Sequence, residues 1–432
     1  MIPAISVFRA CPRAVHAAGA MLIAAAIAAC GSSGPTPPPG GTSAPTPSPA
    51  ITISATGTPN ATPNQSIVPV PTSQLAVASG PSAHLDPTKA AALQKALDGI
   101  RSGGKYPGVS AAILFPDGSI WTGVSGAAVT SPATPVATDT LFSVGSITKT
   151  FVAALAGRLA SAGTIGLDDA LSKYVPTFPN AANITLRELL NHTSGIKDLF
   201  EIPAIASAIV SRRTATWTSD QVLSMVGKLT YFTPGTGYHY SNTDFVLLGL
   251  VIEKATGQTV AALVRSIFLT PLGLSHTYLQ TEEGAQGPEA HGYLGPASKP
   301  RDNSAGTMLP FTAEATAAGF AGAYVSTASD LAVWANALYG GQILDQATLA
   351  SMVDISPSLA FPSKPRYPYG FGFEETTVAG QVAWGHRGHL DGFWSSMEYL
   401  PAYHISIVIL INAEWADPNF AASSILGKIA IA

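Results

Sequence analysis

The chain has 432 residues, of which 47% are hydrophobic and 11% charged, with a net charge of -4 at neutral pH. That is ample apolar material for a large core, and a mean hydropathy of +0.27 argues against general disorder. A pI near 6.1, with no block of like charge, removes any electrostatic reason to expect nucleic acid as a partner.

The first thirty residues read as a targeting segment. Arg9 and Arg13 precede an apolar run over 17–29 that is too short to span a bilayer comfortably, and small residues lead into Cys30. Ile27-Ala28-Ala29-Cys30 resembles the lipobox of bacterial lipoproteins. That resemblance implies a signal peptide over 1–30, lipidation of Cys30 as the mature first residue, and a lipid-anchored location on the outer face of the cytoplasmic membrane. The only other cysteine, Cys11, would leave with the signal. The mature chain would then hold no disulfide, thiol nucleophile or thiolate metal site. Residues 31–83 are rich in Pro, Ser and Thr, as in Pro35-Thr36-Pro37-Pro38-Pro39, and read as an extended tether.

One large folded domain is expected over 84–432. Asp86-Pro87 caps a helix with its apolar stripe at Leu93, Leu97 and Ile100. Val109 to Phe115 and Ile120 to Val124, joined by Pro116-Asp117-Gly118, form a hairpin. Val144-Gly145 is a turn from which Ser146 opens a helix, periodic through Phe151, Leu155 and Leu159 and closed at Gly163. Thr185 to Glu188 is a capping box, and Thr243 to Lys254 is the clearest later helix. Strand patterns return at Ala323 to Ser326, Gly370 to Glu374, Gln381 to Arg387, Phe393 to Leu400 and Ile405 to Ile411, before a helix from Asn419. Short turns between late strands imply an antiparallel sheet built from both chain ends. The expected class is α/β (α+β): an antiparallel sheet flanked by helices, plus an all-helical lobe over about 165–320, with a cleft between.

Ser146 and Lys149 stand three positions apart on one helix face, at a helix N-terminus whose free N–H groups favour developing negative charge. A hydroxyl beside an amine is one way to make a serine nucleophilic without histidine. Ser102-Gly103-Gly104-Lys105 has the same spacing, but in a glycine-rich connector with nothing to hold the side chains together. Two further spots matter: Tyr238-His239-Tyr240-Ser241-Asn242, and Gly385-His386-Arg387-Gly388-His389. Residues three apart on a strand face opposite ways, so His386 and His389 make no metal pair; without a His-Glu-x-x-His, no metal or other cofactor is expected. Asp391 and Glu398 show no partner and read as surface charges.

Taken in order, Ser146-x-x-Lys149, Tyr240-x-Asn242 and His386-x-Gly388 resemble the three motifs of the penicillin-binding and class C β-lactamase family of serine hydrolases. Asn191 to Gly195, Pro234-Gly235, Pro271 to Gly273, Ala290 to Tyr293 and Tyr369 to Gly372 are similar to the soluble D-alanyl-D-alanine carboxypeptidase branch. The resemblance implies a β-lactamase/transpeptidase-like fold in which Ser146 forms an acyl-enzyme. Lys149 and Tyr240 would together move the serine proton, with either as the base. Asn242 would grip a substrate amide, and the N–H groups of Ser146 and His389 would form the oxyanion hole. His192 and His291 are expected to hold loops.

One position departs from the pattern. Arg387 stands where the branch carries threonine, and no other arginine lies between Arg366 and it. It either takes over carboxylate recognition or points away from the cleft, and strand alternation favours the second. The implied substrates are small peptides, esters or peptidoglycan-like ends, with β-lactams as acylating ligands. Carboxypeptidase action leads, with esterase or D-amino-acid amidase, β-lactamase, and a non-catalytic penicillin-binding sensor as alternatives.

Overall fold

The computed structural model describes residues 85–362, 365, 367–416 and 421–432. The expected signal peptide, Cys30 and the tether lie outside the described residues.

Seven strands form the main sheet. In chain order they are β1 (Gly108–Leu114), β2 (Ile120–Thr130), β3 (Ala133–Pro135), then, after five short strands of the middle segment, β9 (Glu374–Val378), β10 (Gln381–Leu390), β11 (Phe393–Leu400) and β12 (Ile405–Ile411). Their spatial order is β3-β2-β1-β12-β11-β10-β9, every pair antiparallel. The first and last strands therefore meet at the centre, with Val109 opposite Ile411 and Leu114 opposite Ser406. Asn412 fastens this junction: its Oδ1 accepts from the Gly108 N–H at 2.7 Å, and its Nδ2 donates to the carbonyls of Ala127 and Ala128 at 3.2 Å each.

Period-2 alternation explains why β1 and β12 are apolar throughout: both faces are covered. Val109, Ala111, Ile113, Ile405, Ile407 and Ile409 pack under helix Pro87–Gly104 and the final helix Ala421–Ile431. Ala112, Leu114, Val408 and Leu410 face the larger core with helices Thr148–Ser161 and Ala328–Tyr339.

Between the two parts of the sheet lies the lobe expected to be all helical. Its helices include Pro203–Ser211, Ser219–Val226, Asn242–Thr256 and Val260–Val264. It also carries the short strands β5 (Tyr278–Leu279), β6 (Tyr293–Leu294) and β7 (Arg301–Asp302); β4 (Phe142–Ser143), β8 (Tyr324–Ser326) and β5 make a small sheet of their own.

Three local expectations need correction. The strand expected at Gly370 to Glu374 begins only at Glu374; Gly372 turns the chain at φ +60° against the Lys149 carbonyl. Glu398 is no surface charge: it is 2% exposed, and its carboxylate accepts from Thr376 at 2.9 Å and Ser396 at 3.1 Å. The copy at Ser102 to Lys105 belongs to the exposed last turn and cap of the first helix rather than to a loose connector.

Candidate active site

A cleft of about 520 Å³ lies between the sheet and the helical lobe, lined by Ser146, Tyr240, Asn242, His386, Arg387, Gly388 and His389 among others. The nucleophile candidate stands in a 3-10 turn, Gly145–Ile147, that runs directly into helix Thr148–Ser161. Ser146 in that turn and Lys149 in the first turn of the helix are three positions apart, which puts their side chains on one face. The helix is held from several sides. Thr148 Oγ1 accepts from the Tyr324 N–H at 3.0 Å, Trp334 Nε1 donates to Thr150 at 2.9 Å, and Phe151 stacks on Trp334 and Tyr324 at 4.2 and 4.6 Å.

Lys149 is fully buried, and its Nζ donates to Ser146 Oγ at 2.9 Å, Asn242 Oδ1 at 2.8 Å and the Ala321 carbonyl at 2.7 Å. Burial lowers its pKa to about 7, against the opposing pull of Asp198, Glu374 and Asp244. The Tyr240 hydroxyl donates to the same Ser146 oxygen at 2.8 Å. Burial pushes the Tyr240 phenol well above its ordinary range, although the Ser146 bond pulls the other way. Such an arrangement can accept a proton at the amine near neutral pH while the phenol stays a donor.

Asn242 opens helix Asn242–Thr256, and its amide is engaged on both sides. Its oxygen holds Lys149, while its Nδ2 and its backbone N–H each donate to Asp198 Oδ2 at 2.8 Å. It thus positions the lysine more than it offers a free grip on substrate. Asp198 is the residue here that sequence reading missed; its signal was weak, an isolated acid in the loop after Gly195.

Beneath Tyr240 lies the His192 ring, with centroids 4.4 Å apart. His192 Nδ1 is 2.8 Å from Asp244 Oδ2, and Ser194 donates to Asp244 Oδ1 at 2.6 Å. Serine, histidine and aspartate together would suggest a triad, but the His192 and Asp244 side chains are wholly inaccessible. Their place is to support the tyrosine. His291 sits apart, bonded to Asp302 at 2.6 Å across the β6–β7 ribbon.

On the sheet side, β10 presents His386 with Nε2 3.0 Å from the Tyr369 hydroxyl; burial lowers the ring's pKa to about 4, so it is neutral at physiological pH. Gly388 allows the closest approach: a Cβ there would stand 1.9 Å from the Val144 carbonyl oxygen. One added at Gly145 would stand 2.6 Å from the His389 nitrogen, so that N–H lies beside the serine turn. The His389 ring turns to Glu414, 3.0 Å from both carboxylate oxygens.

Arg387 neither fills the cleft nor leaves it. Its Nε pairs with Glu374 at 3.4 Å and its guanidinium lies 3.3 Å over the Tyr367 ring, at the cleft's edge. The cation is committed to an acid before any substrate arrives.

Comparison with known proteins places the chain in a family. The family model described as Beta-lactamase matches residues 92–426. A D-aminopeptidase of Cereibacter sphaeroides is 26% identical over 343 residues, covering 78% of this chain and 62% of that protein, so the chain spans about six-tenths of that relative's length. Penicillin-binding protein 4 of Amycolatopsis lactamdurans is 28% identical, covering 78% of this chain and 89% of the relative. Among solved structures, a D-stereospecific amidohydrolase from Streptomyces sp. is 30% identical with a TM-score of 0.65, covering 79% of this chain and 97% of that one. The D-amino acid amidase of Ochrobactrum anthropi SV3, complexed with L-phenylalanine amide, is 28% identical with a TM-score of 0.67, covering 80% and 97%.

Proposed function

The chain belongs to the Beta-lactamase family, and on that premise we propose a serine hydrolase that cleaves D-aminoacyl amides and peptides through an acyl-enzyme on Ser146. The observation that carries this is the single Ser146 oxygen bonded to both Lys149 and Tyr240, at 2.9 and 2.8 Å. Ser146 Oγ attacks the substrate carbonyl carbon as its proton passes to neutral Lys149. The carbonyl oxygen, now negative, is met by the N–H groups of Ser146 and His389. As the C–N bond breaks, the proton goes by way of the Tyr240 hydroxyl to the departing nitrogen. Water then attacks the ester, giving its proton to Lys149, which passes it to Ser146 Oγ as the ester C–O bond breaks and the acid leaves.

Two considerations favour an amidase over a carboxypeptidase. Gripping a C-terminal carboxylate needs a free cation, and Arg387 is already paired with Glu374. The names of the amidase and aminopeptidase relatives point the same way. β-Lactams are proposed as slow acylating ligands of the same serine, in line with the penicillin-binding relative.

Ser146→Ala is expected to abolish labelling by a fluorophosphonate and a fluorescent penicillin, and to remove p-nitrophenyl ester turnover. Residual labelling of that variant would overturn the assignment. Ammonia release from D-phenylalanine amide, set against D-Ala release from diacetyl-Lys-D-Ala-D-Ala, separates amidase from carboxypeptidase.

A further inference from the structure

The cleft has two chemically different ends, and Ser146 with its partners accounts for neither. At one end Arg387 and Glu374 neutralise each other. At the other, two residues past His389, the β10–β11 turn brings Asp391 to the wall, facing Glu314 from helix Thr312–Ala318.

Glu314 is 7% exposed. Its Oε1 accepts from the Asp391 N–H at 3.2 Å, and its Oε2 has no partner among the described residues. Burial, then the neighbouring Asp391, hold this carboxyl well above the usual carboxylate range. Asp391 is half-buried, and burial and Glu414 raise it as well.

The nearby cations relieve the pair only in part: Arg213 pulls both carboxyls down and His389 pulls Asp391 down, but burial outweighs them. Glu414 adds negative charge of its own and is taken up by His389 and the Gly392 N–H. Arg213 donates to the Asn303 carbonyl and, at 2.8 Å, to its side-chain oxygen, with its guanidinium 3.8 Å over the Phe311 ring. Among the described residues no ion pair joins Arg213 to either acid. Beside the two acids the wall is apolar, formed by Ile209, Val210 and Phe311.

A buried carboxyl with no cation paired to it is costly to ionise, and an ammonium with three donors is the group that would lift that cost. We propose that Glu314 and Asp391 form the subsite for a protonated amine on the acyl half of the substrate, with the apolar wall taking the side chain beside it. This rests on the serine-hydrolase reading above and names the group by which the substrate is recognised.

The test is the ratio of kcat/KM for D-phenylalanine p-nitroanilide to that for its N-acetyl derivative. Because both rates come from one sample, the ratio does not depend on how much of a variant folds. The wild type is expected to prefer the free amine by at least tenfold, and Glu314→Gln or Asp391→Asn to bring the ratio towards one. A charge-assisted hydrogen bond is worth about that factor or more. A wild-type ratio near one, cleavage of neither anilide alongside intact p-nitrophenyl acetate turnover, or a ratio unmoved in both variants would each overturn the subsite. In all three cases Ser146-dependent fluorophosphonate labelling would still stand. Loss of that labelling in the wild type would instead remove the reading beneath it.

Discussion

Lys149 holds the site's pH response. Its amine titrates at about 7 because it is buried, so raising the pH through that value frees the lone pair that receives the serine proton. kcat/KM for a neutral ester is therefore expected to rise with pH and level off above about 7, with no loss from Tyr240, whose phenol stays protonated far beyond. The groups facing the amine are Asp198, Asp244, Glu374, His192 and His386. The three acids pull its pKa upward, so Asp198→Asn should move the acid limb to lower pH. Lys149→Met should lower kcat by about 10²- to 10⁴-fold, the usual range for a lost general base. A pH–rate profile on p-nitrophenyl acetate measures both effects; a flat profile between pH 5 and 8 would remove the lysine from the proton path.

At the scale of elements, the strand β10 matters through what it lacks. Gly388 lets the Val144 carbonyl, just before the serine turn, come within reach of Ser395 Oγ, which donates to it at 2.8 Å. A methyl there would meet backbone on one side and Ser395 on the other. Gly388→Ala is thus expected to cost about 1–3 kcal/mol of stability, as overpacking does, and to cut ester turnover more than tenfold. The denaturation midpoint and kcat check the two parts separately. The bounds of β11 and β12 were legible because unbroken or alternating apolar runs between turns admit little else. The run at Gly370 to Phe373 misled for the same reason: glycine and aromatic residues alternate as in a strand, and only the positive φ at Gly372 shows a turn. Ser146 and Lys149 could be picked out by spacing, and Tyr240 and Asn242 by their resemblance to the family's motifs; the structure brings the four together. Asp198, Glu314 and the burial of Glu398 could not, since a lone acid carries no pattern and its surroundings come from distant segments. Arg387 escaped a two-sided reading because strand alternation cannot anticipate a side chain bending to an acid on β9.

At the scale of the whole molecule, the lipid anchor proposed at Cys30 gives a direct expectation. Cells fed labelled palmitate should transfer it to the wild-type protein and not to Cys30→Ser, and the variant should move from the membrane pellet to the soluble fraction. Label retained by the variant would exclude this anchor point. The sheet's centre has a different consequence, one of timing. Gly108 waits for Asn412, 304 residues later, and β1 waits for β12. Until β12 has been made, the β1–β2 hairpin keeps an open, apolar edge and β9 to β11 have no strand joining them to it. A premature stop anywhere before β12 would therefore leave a sticky, inert fragment rather than a weakened enzyme, and activity should appear all at once in the last step of assembly.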